Sequence, residues 1–425
     1  MNILSADHDS LRAIEQTLAL RYDTLKARGL KLDMTRGKPG PEQLDLSNAL
    51  DGILDGHYLG DDGTDLRNYG GLDGIPEAKS LFAQMLEVPA SNMLIGGNAS
   101  LTLMYQSLLY AMYFGLNGPE SAWHNSAETV RFICPVPGYD RHFTACEHLG
   151  IEMVTVSMKP DGPDMDAVEA LLDTDPAIRG LWCVPRFSNP TGTTYSDAVV
   201  ERIAALGKRA HADFRVFWDN AYAVHTILAE AATLKSIWAS CEAQGTLDSV
   251  LIFGSTSKIT FAGAGVAFMA ASDTNLRSLR NHLQFATIGP DKVNQKRHVA
   301  LLRDLPTMHA LMQQHAALLR PRFQTVLDVL ETELGDTGCA DWTRPEGGYF
   351  ISLDTQPGLA QTVVTMAADA GVKLTPAGST FPYGKDPDDR NIRLAPSFPS
   401  VADLKTATEV FTVCVKLATV RQRLG

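Results

Sequence analysis

Lys258 stands in Gly254-Ser255-Thr256-Ser257-Lys258-Ile259-Thr260-Phe261-Ala262-Gly263-Ala264-Gly265, among small and hydroxylated residues, directly after the apolar run Ser249-Val250-Leu251-Ile252-Phe253. An ammonium is strongly hydrated, so lysine is seldom buried without a partner. In a partly dry pocket its pKa falls, and the neutral amine becomes a nucleophile. That is the chemistry of a Schiff-base lysine. Four more polar residues also follow apolar runs: Tyr139 after Arg131–Pro135, Asn189 after Gly180–Pro185, and Asp219 and Tyr222 after Phe214–Trp218. Gly96-Gly97-Asn98-Ala99-Ser100 lies between Met93-Leu94-Ile95 and a helix-patterned segment at 101–114. Small residues at a helix start leave free N–H groups and the positive end of the dipole for an anion. The stretch lacks the Gly-Lys-Ser/Thr ending of a nucleotide-binding loop. In Arg36-Gly37-Lys38, two cations flank a glycine, so this loop too can present a backbone N–H and positive charge to an anion.

The elements that must position these residues are legible from periodicity and punctuation. Helical spacing covers 9–29, ending at Gly29, and 76–87, which opens with Pro76 after the glycine-rich turn Asn68–Gly74. Strand-like runs at 93–95, 131–135, 151–156, 180–185, 214–218 and 249–253 alternate with helical segments, one capped by Ser196 or Asp197. Such alternation predicts a parallel, doubly wound sheet, in which ligands sit beyond the carboxyl ends of the strands. Residues 287–295 read as a loop, and 306–334 as a long helix bent at Pro321. The helix leads to a C-terminal lobe with strand runs at Gly347–Leu353 and Asn391–Ala395. The expected division is 1–48 (helix and loop joining the small lobe and site entrance), 49–305 (large domain) and 306–425 (linking helix and small domain).

Composition narrows the function. At 425 residues, 45% hydrophobic and 20% charged, the chain has the profile of an ordinary globular protein large enough for two lobes. A formal net charge of -12 argues against a nucleic-acid surface. The six cysteines form no CxxC pair and have no histidine at ligand spacing, so no metal site is expected; Cys134, Cys183 and Cys414 lie in apolar runs and read as core. No signal-like segment opens the chain and no apolar run has membrane-spanning length, so the expected location is cytoplasmic.

Taken together, Tyr69, Tyr139, Asn189-Pro190-Thr191-Gly192, Asp219-x-x-Tyr222, Ser255-x-Ser257-Lys258 and Arg393 resemble the fold-type I pyridoxal-phosphate aminotransferases. The likeness is to aspartate aminotransferase and its class I/II relatives and covers nearly the whole chain in the family's order. It implies α/β architecture: a large, mostly parallel doubly wound domain and a smaller lobe formed by both termini. It also implies pyridoxal 5'-phosphate as cofactor, with Lys258 forming the Schiff base and then moving the substrate Cα proton. Asp219 would pair with the pyridine nitrogen. Tyr222 and Asn189 would bond the 3' oxygen, and Tyr139 would stack on the ring. The phosphate would lie on the N–H groups of Asn98, Ala99 and Ser100 and the hydroxyls of Ser255 and Ser257. Tyr69 would reach the phosphate of the partner subunit, which implies a homodimer with shared sites. Arg393, helped by the Gly37 N–H, would grip the substrate α-carboxylate bidentately, with Asn189 close by.

Two departures qualify the likeness. Relatives carry a phosphate-binding arginine seven or eight positions after the lysine, where this chain has Gly265 and Val266. Lys292, Lys296 and Arg297 are the expected substitutes. Nor does an arginine just upstream of Asn294 match the partner-subunit residue that grips a dicarboxylate side chain; Arg36, Lys38, Arg141 and Arg186 are the expected replacements. The expected activity is transfer of an amino group from an L-amino acid, aspartate or another acidic donor favoured, to a 2-oxo acid such as 2-oxoglutarate. Two alternatives stand beside it: a C–S or β-lyase on the same fold, and a MocR-like regulator without its DNA-binding domain. About thirty residues precede the Arg36 loop, too few for a winged helix-turn-helix.

Overall fold

The computed structural model describes residues 2–126 and 128–425. Thirteen strands are present among them: β1 (Leu32–Asp33), β2 (Met93–Ile95), β3 (Arg131–Val136), β4 (Glu152–Lys159), β5 (Gly162–Pro163), β6 (Ile178–Cys183), β7 (Arg215–Asp219), β8 (Val250–Ser255), β9 (Ala267–Ala271), β10 (Ala340–Trp342), β11 (Ile351–Thr355), β12 (Val372–Lys373) and β13 (Asn391–Leu394). Eight form one sheet in the order β2-β9-β8-β7-β6-β3-β4-β5. Pairings from β8 through β4 are parallel; β9 is antiparallel to both neighbours, so β2 again runs with the parallel set.

Both faces of the sheet's central strands β6, β7, β8 and β9 are buried, which is why they are near-continuous apolar runs. Val216, Trp218, Val250 and Ile252 point to one core with helices Pro76–Leu86, Met165–Thr174, Asp197–Ala205 and Ile237–Gln244. Phe217, Leu251 and Phe253 point to the other, with Ser100–Tyr113, Asp140–His148 and Asp273–Leu283. Between the strands the fit is close: a Cβ on Gly180 would lie 2.0 Å from the Phe132 ring. Helices on both faces of a mostly parallel sheet make it doubly wound.

A third core joins the two ends of the chain. Helix His8–Lys26 packs with Val401–Leu424, Ala360–Asp369 and the later half of Leu305–Leu334, over the antiparallel sheet β10-β11-β13. β1 pairs in parallel with β12, fastening the segment before Gly37 to this lobe. The long helix runs as one element through Pro321. None of the helices among the described residues is long and apolar enough to cross a membrane.

The loop expected at 287–295 ends early, because Lys292–Leu302 is a helix. Asp291 caps it, its Oδ1 accepting from Asn294 N at 2.9 Å. Its buried face is Lys292, Gln295, His298 and Leu302, so no apolar stripe announces it.

Candidate active site

The carboxyl ends of the parallel strands gather most of the residues singled out from sequence. β7 ends at Asp219, β8 at Ser255 just before Lys258, and the loops after β6 and β3 carry Asn189 and Tyr139. Lys258 is half-buried, with Nζ 4.8 Å from the centre of the Tyr222 ring. Burial pushes its pKa below the ordinary lysine value, and the nearby Asp219 charge offsets part of that shift. Asp219 is 2% exposed. Its Oδ2 is 3.0 Å from His142 Nε2, and its Oδ1 has no partner. A buried carboxylate oxygen left bare is costly, so this is a place prepared for a donor. His142 is stacked on Trp182 at 4.0 Å and edge-on to Tyr139 at 5.0 Å, which fixes the ring that holds Asp219. Burial, with Asp219 and Asp140 nearby, raises the Tyr139 hydroxyl to about 12. Burial likewise pushes Tyr222 well above its ordinary value. Both phenols are therefore protonated at neutral pH.

Arg393, from β13, is buried at the edge of the same site. Its Nη1 donates to Asn189 Oδ1 and Asp140 Oδ1, both at 3.1 Å, while its Nε has no partner. The guanidinium lies 4.9 Å from the centre of the Phe350 ring. A Cβ on Gly37 would fall 2.3 Å from that ring, so only glycine lets the Arg36–Lys38 loop approach this closely. Because the Asn189 oxygen faces Arg393, its Nδ2 donor faces away. Lys38, Arg36 and Arg141 are exposed, whereas Arg186 turns from the site and donates to the carbonyls of Ala223 and Ala232.

Helix Ser100–Tyr113 begins at Ala99, which has no side chain to cap it. Its first N–H groups are thus left for another acceptor. Asn98 and Ser257 meet here, Ser257 Oγ donating to Asn98 O at 3.3 Å, and Ser255 Oγ accepts from Ser257 N at 3.4 Å. No arginine fits at Gly265: a Cβ there would be 2.9 Å from Thr256 Oγ1, which already accepts from Val266 N. The cations expected to substitute are engaged elsewhere, except Arg297, which is exposed. Lys292 donates to the carbonyls of Asn68 at 2.8 Å and Gly70 at 2.7 Å, and Lys296 pairs with Glu77 and Asp61. Tyr69, whose loop Lys292 pins, is 83% exposed.

The aspartate amino-transferase family model matches residues 6–425. The chain belongs to this family. Its members are aminotransferases that use pyridoxal phosphate, and this enzyme has their fold-type I architecture. A putative aminotransferase of Mycolicibacterium smegmatis is 47% identical, covering 100% of both chains. An aspartate aminotransferase of Corynebacterium glutamicum is 46% identical, covering 97% of this chain and 95% of the relative. The crystal structure of an aspartate transaminase from C. glutamicum superposes with a TM-score of 0.95 at 44% identity, covering 99% of each chain.

Several residues of this aminotransferase's site escaped sequence reasoning. His142 lies one helical turn after Tyr139, a spacing that places both on one face but does not name Asp219 as target. Asp140 and Phe350 join Arg393 only through the fold. His225 is 2% exposed, has no partner at either ring nitrogen, and is driven down to about 3 by burial and then by the Lys258 charge. It is therefore neutral.

Proposed function

We propose that this aminotransferase takes its amino group from an acidic L-amino acid, aspartate foremost, and delivers it to a 2-oxo acid such as 2-oxoglutarate. Pyridoxal 5'-phosphate would be held by Asp219, Tyr139, Tyr222, Asn189, Ser255, Ser257 and the backbone of Asn98, Ala99 and Ser100. The observation that carries this reading is the bare, buried Oδ1 of Asp219 in the same pocket as the desolvated Lys258. A ring N–H donor would satisfy that oxygen, and the uncapped start of Ser100–Tyr113 suits a phosphate. When bound, the cofactor supplies an electron sink for the charge left on the substrate Cα.

The chain's own residues would do the rest. Burial keeps a larger fraction of Lys258 as neutral amine than an exposed lysine would have, ready to attack a carbonyl and later to carry the Cα proton. Arg393 has an unpartnered Nε for a carboxylate, and its rigid seat between Asp140, Asn189 and Phe350 fixes the substrate's orientation. Because Arg393 holds the carboxylate in place, Cα–H rather than Cα–carboxylate cleavage is favoured. Lys38 and Arg36, which flank Gly37, and Arg141, next to Asp140, are exposed cations that would favour a second carboxylate on the substrate. The name of the C. glutamicum relative supports the same preference. Tyr69, projecting into solvent on a pinned loop, would complete the phosphate site of a second copy.

A panel of amino donors with 2-oxoglutarate as acceptor tests the specificity. The expected kcat/KM for L-aspartate exceeds that for leucine or phenylalanine by at least about tenfold, the worth of one well-placed ionic contact. Equal values would contradict acidic preference. Release of pyruvate and ammonia from a β-substituted amino acid would favour the lyase reading.

A further inference from the structure

We propose that Gln43 and His315 are positioning residues for Lys258, joining the loop that seats the substrate carboxylate to the lysine's own turn through buried hydrogen bonds. This rests on the reading above, in which Lys258 is the reacting amine and Gly37 and Arg393 form the seat.

Gln43 is 0% exposed, and His315 and Tyr349 are each 1% exposed. Gly40 N donates to Gln43 Oε1 at 3.1 Å, which fixes the amide: its oxygen faces Gly40 and its Nε2 faces the opposite way. Nε2 then has two hydrogens to give. It donates to Tyr349 Oη and to His315 Nδ1, each at 3.1 Å. Since Nδ1 accepts, the His315 proton sits on Nε2, which donates to the carbonyl of Ile259 at 3.0 Å. Every valence in the run is assigned by the one before it. A second proton on His315 would set an N–H against the Gln43 N–H, and burial also lowers the pKa of this ring.

Ile259 is the residue after Lys258, so His315 grips the turn that aims the amine. From Gln43 the run divides toward the carboxylate seat. One arm passes through Gly40 to the loop whose Gly37 rests on Phe350; the other passes through Tyr349, the neighbour of Phe350, above which Arg393 lies. A second clamp on the same turn, Thr260 Oγ1 to His298 Nε2 at 2.9 Å, continues to Asn294 O rather than to the seat. His298 is therefore a natural control. The ionisable groups facing Lys258 are Asp219, Tyr222 and His225.

The test uses the purified cofactor-free chain and the loaded enzyme. In the former, Lys258 is labelled with an amine-reactive reagent across pH and quantified by peptide mass spectrometry. His315→Leu should raise the labelling midpoint by about one pH unit, as the freed turn lets the ammonium reach water. His315→Gln, which still offers an N–H to Ile259, should restore most of that shift. In the loaded enzyme, His315→Leu and Gln43→Leu should each lower kcat about tenfold with KM changed less than about threefold. The double variant should be no worse than His315→Leu alone, because both belong to one run. His298→Leu combined with Gln43→Leu should instead multiply. An unchanged midpoint in a folded His315→Leu, or multiplicative losses for Gln43 and His315, would overturn the proposal. Failure of the unaltered enzyme to transaminate, with the midpoint shift intact, would overturn the functional reading instead.

Discussion

At the scale of single residues, the site is a set of groups whose protonation is shifted by their surroundings. Lys258 is desolvated, His225 is neutral, and Tyr139 and Tyr222 keep their protons. Asp219 is the exception that needs a ligand, since His142 satisfies only one of its oxygens. Replacing it by asparagine tests this. A charge-assisted hydrogen bond contributes roughly 1.5–3 kcal/mol, so Asp219→Asn should weaken pyridoxal phosphate binding about 10- to 100-fold. The cofactor-free variant should melt no lower than the parent, because it no longer buries a carboxylate with one oxygen bare. Fluorescence titration and calorimetry would check the two parts; unchanged affinity would remove Asp219 as the ring's partner. Strand ends in the sequence singled out Asp219, Tyr222 and Lys258, and the family resemblance supplied their expected roles. Neither could bring out His142, Asp140 or Phe350, whose importance lies in contacts made across the fold.

Among the elements, legibility tracked burial. Strands β6, β7 and β8 are buried on both faces and lie within a few residues of the expected runs, whereas β9 in the same sheet was not expected. Helix Lys292–Leu302 was not expected either, because it buries lysine, glutamine and histidine, each serving a neighbour: the Lys292 ammonium holds the Tyr69 loop, Gln295 accepts from Ile75 N, and His298 meets Thr260. The joining of the two chain ends is likewise a tertiary fact. Glu333 on the long helix accepts from both Nη atoms of Arg21 at 3.0 Å and also meets Lys416, tying three helices together. Arg21 foremost, against the cost of burial, holds the Glu333 carboxyl at about 2 rather than 4.5. A depressed carboxylate contributes stability above the unfolded value, and that stability is lost as pH falls from about 4.5 toward 2. Glu333→Gln should therefore lower the melting temperature at neutral pH and flatten its decline across that window. A decline as steep as the parent's would show that the three-helix tie does not govern acid stability.

For the whole molecule, the doubly wound sheet sets Lys258, Asp219, Asn189 and Tyr139 along one edge, while the lobe built from both chain ends brings Gly37 and Arg393 to it. The candidate site thus lies where two separately packed cores face each other. At Gly265 a Cβ would fall 2.9 Å from Thr256 Oγ1, so a larger residue there requires that side chain to shift. Together these parts are expected to run the amino-transfer half-reaction on an acidic donor. The most direct test is the absorption spectrum of the protein loaded with pyridoxal phosphate, recorded before and after L-aspartate is added without any oxo acid. Conversion of the bound aldehyde form of the cofactor to its amino form and release of an equivalent amount of oxaloacetate are expected, with neither change in Lys258→Ala. A spectrum left unaltered by aspartate, with no oxaloacetate released, would contradict it.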